Sequence, residues 1–375
     1  MRKKLHCNWK VLLGGMLLVT SCSKEVQPEV VSMDEVTFGI TNPDTWGNME
    51  ASRATIVNNS VLAKEGFGVF AVYDDTQSSP DFMKNAQVTS ADNGTTWTYR
   101  PLKYWPNNVG DDIDFYAYAP YDASFSVTNL SQLTYIVPTD VSQQKDLLWS
   151  SSDTKNKTKA DGTIHFVFRH ALSRIGFSVE AKIDGVSPID EYEKVKMQVK
   201  KIVLTSNDDY TGAGPGSFYK QGVIKLDNQT DNPDWTMETD VLQSYTLNES
   251  HLASHDLTLT KEKISVPSQN LTTDGNYLMI LPQDFLEKGF HVYVEYDVHL
   301  WFSGNGVETG KEHEYFTYTN GCVGNLKIKF EPGMAYTINL QLGLEDATLG
   351  EVTMTEWVAV DEVELDNLLG EPENE

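Results

Sequence analysis

Short runs rich in Val, Ile, Thr, Tyr and Phe recur along almost the whole chain, and clusters of turn-forming residues separate them. Alternation of side chains is clear in residues 67–73 (Phe-Gly-Val-Phe-Ala-Val-Tyr), as expected for a half-buried antiparallel strand. Turn clusters such as Asp92-Asn93-Gly94 tolerate the positive φ of tight turns. The pattern predicts an all-β fold of sandwiches or small barrels, with a few short helices near residues 250–255 and 284–288.

The strand-like runs form two series that meet near His170, almost without a linker. Roughly 350 residues remain after the leader described below, and domains of about 100 to 200 residues are common. We therefore expect two tandem β-sandwich domains. The first would span residues 34–170 and the second residues 171–375.

The first residues have the pattern of an export signal. Arg2, Lys3 and Lys4 precede an apolar run over residues 11–19, which is too short to span a bilayer. We expect residues 1–21 to be a signal peptide that is removed.

Val19-Thr20-Ser21-Cys22 resembles a bacterial lipobox, in which cleavage leaves an N-terminal cysteine that carries acyl chains. Cys22 is therefore the predicted lipidation site, and residues 22–33 are a predicted flexible tether. The acyl chains would anchor the protein to lipid of the outer membrane. The alternative is an ordinary signal peptide with an incidental cysteine.

Charge and cysteine content restrict the possible functions. The formal net charge is -25, and it becomes -29 when the four cations of residues 1–21 leave. A surface this acidic repels nucleic acid, so we expect no nucleic-acid partner. Once Cys7 is removed and Cys22 is acylated, only Cys322 remains, which excludes an intramolecular disulfide. The exported fold must then be stabilised by its core.

Patterns that carry catalysis or metal binding are weak in this sequence. His251 and His255 have the spacing of two zinc ligands on a helix, but Leu252 stands where a zinc-protease helix has its glutamate. We therefore interpret the pair as part of a solvated loop or helix face, with a metal site as the alternative. The glycine-rich residues 211–217 lack the Lys-Ser/Thr of a phosphate-binding loop, so we interpret them as a mobile loop. We expect no enzyme, metal or cofactor; a hydrolase whose carboxylates are hidden among the many acidic residues is the alternative.

Large aromatic side chains are concentrated between residues 97 and 120. Trp97, Tyr104 and Trp105 could form a platform on which sugar rings stack, which would make the protein a non-polymerising glycan-binding lipoprotein. Rings at alternating strand positions more often fill a core. We therefore expect these rings to be core residues and keep the glycan platform as the alternative.

Several motifs in this order resemble the fimbrillin-like family, the major and minor fimbrial subunits of type V pili. They are Trp97-Thr98-Tyr99, Lys103-Tyr104-Trp105-Pro106, residues 115–120 (Phe-Tyr-Ala-Tyr-Ala-Pro), Asp146-Leu147-Leu148, residues 164–175 (Ile-His-Phe-Val-Phe-Arg-His-Ala-Leu-Ser-Arg-Ile) and residues 275–282 (Gly-Asn-Tyr-Leu-Met-Ile-Leu-Pro). Within this block His170 is expected to be a packed or hydrogen-bonded histidine at the domain junction.

The resemblance implies transthyretin-like sandwiches and assembly by strand exchange at the cell surface, in a fimbrium that contributes to adhesion. The expected partners are other pilus subunits and a trypsin-like protease. In such pilins the protease cuts a lipidated precursor after an arginine, and the released first strand leaves a groove for a terminal strand of the next subunit. An added strand satisfies both the unpaired backbone groups and the exposed apolar side chains of such a groove.

Ser52-Arg53-Ala54-Thr55 resembles the family's processing region. Arg53 is the only arginine between Arg2 and Arg100, and it follows a polar stretch that should be accessible to a protease. The predicted cut leaves Ala54 as the new N-terminus and releases the strand at residues 36–40. A loop arginine without a role is the alternative.

Residues 352–369 are the predicted donor strand or strand pair. Alternating apolar residues could face one side of an inserted strand; they are Val352, Met354, Val358, Val360, Val363 and Leu365. The acidic and polar residues 370–375 should stay solvated. The alternative is that the same residues form the last strand of their own second domain.

The lipobox pattern yields the first testable prediction. Cys22→Ala should abolish acylation and release the protein from the membrane, because each buried methylene contributes about 0.8 kcal/mol and the polar tether contributes almost nothing. Metabolic labelling with an alkynyl fatty acid measures the effect. Unchanged label in the variant would contradict the lipobox interpretation.

Overall fold

A computed structural model of the chain describes residues 34–40, 59–73, 80–126, 132–150, 157–183, 192–208, 210–212, 216–226, 232–272, 276–302, 310–344 and 346–357. The predicted signal peptide and tether lie outside these ranges. Among the described residues, no helix has the length and apolar character needed to span a membrane. The predicted all-β class is confirmed.

The first series of strands runs to His170. Its members are β1 (Phe38–Ile40), β2 (Phe67–Val72), β3 (Met83–Thr89), β4 (Thr98–Tyr99), β5 (Asp114–Ala119), β6 (Gln132–Ile136), β7 (Leu148–Ser150), β8 (Ile164–Phe166) and β9 (Phe168–His170). One α-helix lies within the described residues, α1 (Asn59–Glu65). It is followed by Gly66, which has φ +78° and donates its N–H to the carbonyl of Leu62, a common arrangement at a helix C-terminus.

The second series continues to residue 356. Its members are β10 (Ser173–Lys182), β11 (Tyr192–Thr205), β12 (Phe218–Tyr219), β13 (Gln221–Lys225), β14 (Asp234–Met237), β15 (Leu242–Gln243), β16 (Tyr245–Asn248), β17 (Leu257–Thr260), β18 (Ser265–Asn270), β19 (Leu278–Ile280), β20 (Gln283–Asp284), β21 (Phe290–Phe302), β22 (Glu314–Leu326), β23 (Lys329–Phe330), β24 (Met334–Leu342) and β25 (Ala347–Glu356). Single 3-10 turns occur at Val141–Gln143, Lys159–Asp161 and Glu249–His251.

The N-terminal part is organised around a six-stranded antiparallel sheet with the order β4-β3-β2-β5-β7-β9. Successive side chains of a strand point to opposite faces, so β2 sends Phe67 and Val69 to one core and Phe70 and Val72 to another. The first core is closed by β1, which pairs in parallel with β8. Because both faces of β2 are covered, all six of its residues are buried.

The C-terminal part is a sandwich of two five-stranded sheets. One has the order β18-β10-β24-β25 with β19 also on β10, and the other has the order β16-β11-β21-β22 with β17 also on β11. Buried residues of both inner faces, such as Phe177, Val199, Val294 and Ile338, share one hydrophobic cluster. Apolar burial of this kind is the main stabilising contribution to such a fold.

Two features differ from, or extend, the sequence expectations. Residues 284–288, a predicted helical piece, instead form the end of β20 and a turn, and the other predicted piece is reduced to the 3-10 turn Glu249–His251. The sheet β14-β13-β6 combines a strand from before His170 with two from after it. The expected domain boundary at residue 170 falls between β9 and β10 and stays a prediction.

Candidate functional site

The N-terminal strand lies in a groove between two segments of the first core. On one side, β1 pairs in parallel with β8, and the Ile164 N–H donates to the Thr37 carbonyl at 2.9 Å. On the other side, the Val36 N–H donates to the Lys103 carbonyl at 2.9 Å and the Trp105 N–H donates to the Asp34 carbonyl at 3.0 Å. Residues 34–40 therefore have backbone partners along both edges.

The inward side chains of this strand fill the groove. Val36 is fully buried, and Phe38 keeps only 5% of its surface exposed. The Phe38 ring centroid lies 5.2 Å from that of Tyr99, 5.9 Å from that of Phe115 and 5.6 Å from that of Phe166. Burying side chains of this size contributes about 1.5–3 kcal/mol each.

Tyr99, in the floor of the groove, is hydrogen-bonded to the strand. Its hydroxyl donates to the Val36 carbonyl at 2.9 Å and accepts from the Lys103 N–H at 3.1 Å. Burial raises the pKa of Tyr99 to about 12, so the hydroxyl keeps its proton and its donor role to a higher pH than an ordinary tyrosine does.

Polar groups line the solvent edge of the groove. Lys159 Nζ lies 2.6 Å from Asp34 Oδ2, an exposed ion pair that contributes little energy but marks where the strand begins. Thr37 Oγ1 lies 2.9 Å from Thr163 Oγ1. A Cβ atom built on Gly39 would lie 2.7 Å from the exposed His165 ring, so a larger residue here requires that ring to rotate.

Removing residues 34–40 would change the first core in a defined way. The N–H groups of Trp105 and Ile164 and the carbonyl of Lys103 would lose their strand partners. Three aromatic rings, those of Tyr99, Phe115 and Phe166, would lose the ring that packs between them. The result would be an apolar groove with backbone groups along both edges, which is what an added β-strand requires.

Arg53 and Ala54, the predicted processing residues, lie outside the described residues, as does the predicted lipidation site Cys22. The residues that link β1 to α1 include Arg53. Both predictions therefore stay predictions.

The aromatic residues considered for a glycan platform are mostly covered. Trp105 keeps 7% of its surface exposed and packs edge-on against Phe115 at 6.0 Å, while the half-buried Trp97 packs against Phe67 at 5.1 Å. Tyr104 is 42% exposed. The rings do not form an open platform because two of the three point into the first core.

The predicted donor segment begins inside the C-terminal sandwich. Val352 and Met354 lie in β25, where they pair with Ile338 and Tyr336 of β24, in agreement with the alternative that this part is an intrinsic strand. The other predicted donor residues, Val358, Val360, Val363 and Leu365, lie outside the described residues.

Trp357, the last described residue, is held against the body of the protein. Its N–H donates to the Gly333 carbonyl at 2.8 Å, and its ring stacks on His170 at 4.1 Å between centroids. His170 Nδ1 lies 2.8 Å from the fully buried Asp146 Oδ2. His170 is thus packed and hydrogen-bonded, as predicted, while the domain junction at which the prediction placed it stays a prediction.

The two histidines with metal-ligand spacing serve the local backbone. His251 Nδ1 accepts from the Asn248 N–H at 3.0 Å, and His255 Nε2 accepts from the Val199 N–H at 3.0 Å. Within the described ranges, no cluster of three or more His, Cys, Asp or Glu side chains has a metal-binding arrangement.

Sequence reasoning missed the groove residues Tyr99, Lys159 and Thr163. The strand and its partner β8 are separated by 126 residues, as the Thr37–Thr163 contact shows, and a single sequence carries no local signal for such a pairing. The apolar alternation of residues 36–40 could indicate a strand but not its position.

The fold and the groove define a β-sandwich protein whose first core is completed by its own N-terminal strand. A family model described as fimbrillin-like matches residues 52–357. A fimbrial protein from Bacteroides vulgatus has a similar structure, with a TM-score of 0.63, 20% identity, and coverage of 86% of this chain and 99% of that chain. No curated protein matches the chain.

Two further solved structures are more distant. A putative cell adhesion protein from Bacteroides uniformis has a TM-score of 0.44 and 14% identity, with coverage of 86% of this chain and 98% of that chain. A fimbrilin from Porphyromonas gingivalis has a TM-score of 0.39 and 10% identity, with coverage of 89% of this chain and 100% of that chain.

The chain belongs to the fimbrillin-like family, since the matched region covers most of its length. It is accordingly a fimbrial, cell-adhesion protein of the cell surface, and the family consists of structural proteins rather than enzymes.

The groove yields a stability prediction for the uncleaved chain. Phe38→Ala should lower the free energy of unfolding by about 3–5 kcal/mol, because it removes a buried ring from an aromatic cluster. Thr37→Ala is the matched control, since the exposed Thr37 makes one hydroxyl contact and should cost less than about 1 kcal/mol. Urea unfolding followed by fluorescence measures both, and equal small losses would mean that the ring does not support the core.

Proposed function

We propose that this protein is a pilus subunit that assembles by strand exchange after proteolysis at Arg53. The precursor is exported, acylated at Cys22 and held at the outer membrane. A trypsin-like protease cuts after Arg53, the strand at residues 34–40 leaves, and a strand of another subunit occupies the groove. The observation that carries this proposal is that a strand N-terminal to Arg53 completes the first core.

The covalent link between β1 and the rest of the chain decides which strand occupies the groove. While the link is intact, β1 is held near the groove at a high effective concentration and outcompetes any strand from another molecule. Cutting the link leaves only the contacts of a short strand, and β1 can then diffuse away. A strand of similar pattern from a neighbouring subunit can replace it.

The extent of the family match is in accord with this division of the chain. The match begins at residue 52 and ends at residue 357. Residues 34–40 and 358–375 both lie outside it, and these are the segments that the proposal exchanges. The body between them would be the permanent part of each subunit.

The donor is proposed to come from the C-terminal segment, residues 352–369. Val352 and Met354 are already paired with β24 in their own sheet, so the part free for donation follows Trp357. Val358, Val360, Val363 and Leu365 remain the proposed inward residues.

Arg53→Ala should leave a lipidated monomer that does not polymerise, because β1 stays covalently tethered in its groove. Surface-extracted material is analysed for SDS-resistant ladders, and its N-terminus is sequenced; assembled wild-type subunits should begin at Ala54. Arg100→Ala, at the next arginine along the chain, is the control and should assemble normally. Polymers that retain residues 23–25 would contradict the proposal.

Deletion of residues 358–375 should give a folded monomer that cannot extend a polymer, because β25 and the Trp357 anchor are kept while the donor is lost. Deletion of residues 370–375 alone is the matched control and should leave assembly unchanged. Circular dichroism and ladder formation measure the two properties. Full ladders from the longer deletion, or failure of that variant to fold, would remove the donor assignment.

A further inference from the structure

We infer that residues 361–365 of a second copy take the places of residues 34–38 in the groove, in the same register and direction. The inference rests on the proposed strand exchange and adds to it the segment and alignment of the donor. Its starting point is a repeat in the sequence. Residues 34–38 read Asp-Glu-Val-Thr-Phe and residues 361–365 read Asp-Glu-Val-Glu-Leu, and Asp-Glu-Val occurs nowhere else in the chain.

The inward positions of the two segments are compatible. Val363 would occupy the fully buried site of Val36, with no change of side chain. Leu365 would occupy the site of Phe38, among the rings of Tyr99, Phe115 and Phe166. A leucine is smaller than a phenylalanine, so the donor fills this site with apolar surface and without overpacking.

The exposed positions of the two segments are compatible in charge. Asp361 would replace Asp34 as the partner of Lys159, whose Nζ lies 2.6 Å from Asp34 Oδ2. Glu364 would replace the exposed Thr37 beside Thr163. The tail at residues 358–375 carries seven acidic and no basic residues. An acidic tail therefore suits a groove with a lysine at its mouth, and Asp361 at the start of the donor keeps the charge pairing that Asp34 makes.

The match ends after Leu365. Asp366 and Asn367 would stand in place of Gly39 and Ile40, and a side chain at Gly39 meets the His165 ring. His165 is exposed, so its ring can rotate, and its nitrogen atoms can then face the Asp366 carboxylate. The donor thus differs from β1 at the end of the strand and matches it at the beginning.

The short spacer before the donor restricts how two subunits meet. Only residues 358–360 separate the anchored Trp357 from Asp361, and four residue steps span at most about 14 Å. The Trp357 region of one subunit must therefore lie close to Lys159 of the next. Such a short spacer disfavours registers that place residues before Asp361 in the groove, because those would leave still fewer residues to join the two bodies.

Disulfide cross-linking tests the register directly. The full chain carrying Thr163→Cys is cleaved at Arg53 by limited trypsin digestion, and the new N-terminus is sequenced. Synthetic peptides of residues 358–369 that carry Glu364→Cys, Glu362→Cys or Asp366→Cys are added under mild oxidation. Mass spectrometry maps each disulfide and so distinguishes cross-links at position 163 from those that form through Cys322. A peptide of residues 34–41 that carries Thr37→Cys is the control, because its cross-linking shows that the cleaved protein can accept a strand in the groove.

We expect the Glu364→Cys peptide to cross-link, because neighbouring strands lie about 4.8 Å apart and a disulfide joins Cα atoms about 4.4–6.8 Å apart. The two other peptides should lose the cross-link, since a two-residue shift moves the thiol by about 6.6 Å along the strand. If the Thr37→Cys control reacts but Glu364→Cys does not, or a shifted peptide reacts better, the inferred register is wrong. The proposal that the opened groove accepts a strand would then still hold. If the control also fails, the strand-exchange proposal itself is wrong.

Discussion

The ring of Phe38 packs among Tyr99, Phe115 and Phe166 and so joins a short N-terminal strand to the first core. The same strand carries hydrogen bonds to residues 103–105 on one edge and to β8 on the other, which makes it the bridge between two otherwise separate edges. A segment as short as residues 34–40, with so few inward side chains, is strongly bound only while it is tethered. The first core therefore depends on a strand that is buried in it but is joined to the rest of the body only through the residues that follow the strand.

The six-stranded sheet limits what the loss of that strand can disturb. Its central strands β2 and β5 send Phe67 and Phe115 to the first core, and Phe70 and Tyr118 to the larger core that continues into the C-terminal sandwich. An open groove would expose part of one face of the sheet and leave the other face covered. The body of the protein keeps most of its apolar burial, which is the largest stabilising contribution in such folds.

The β-class and the longer strands could be predicted from the sequence, because alternation and β-branched composition are local signals. The β-branched and aromatic runs at residues 194–204, 290–301 and 335–342 coincide with β11, β21 and β24 to within about two residues, the usual uncertainty of strand ends. The full burial of β2 could not be predicted, since its second face is covered by residues distant in sequence. The seven-residue helix α1 is too short to give a helical period. In the groove, the strand at residues 36–40 was predicted. Its partners Tyr99 and Thr163 could not be, because the contacts that they make with Val36 and Thr37 join residues 63 and 126 positions apart.

The anchoring of Trp357 has a mechanical consequence. Any pull on the residues that follow it first meets the N–H bond to Gly333 and the stacked His170 ring, before it reaches β25. Behind these contacts, β25 is antiparallel to β24 over most of its length, and β24 is parallel to β10 over eight residue pairs. A force along the strands would load these ladders in shear, so that many hydrogen bonds share it at once. Tension applied to the tail would thus be transmitted into the centre of the C-terminal sandwich instead of unzipping its edge.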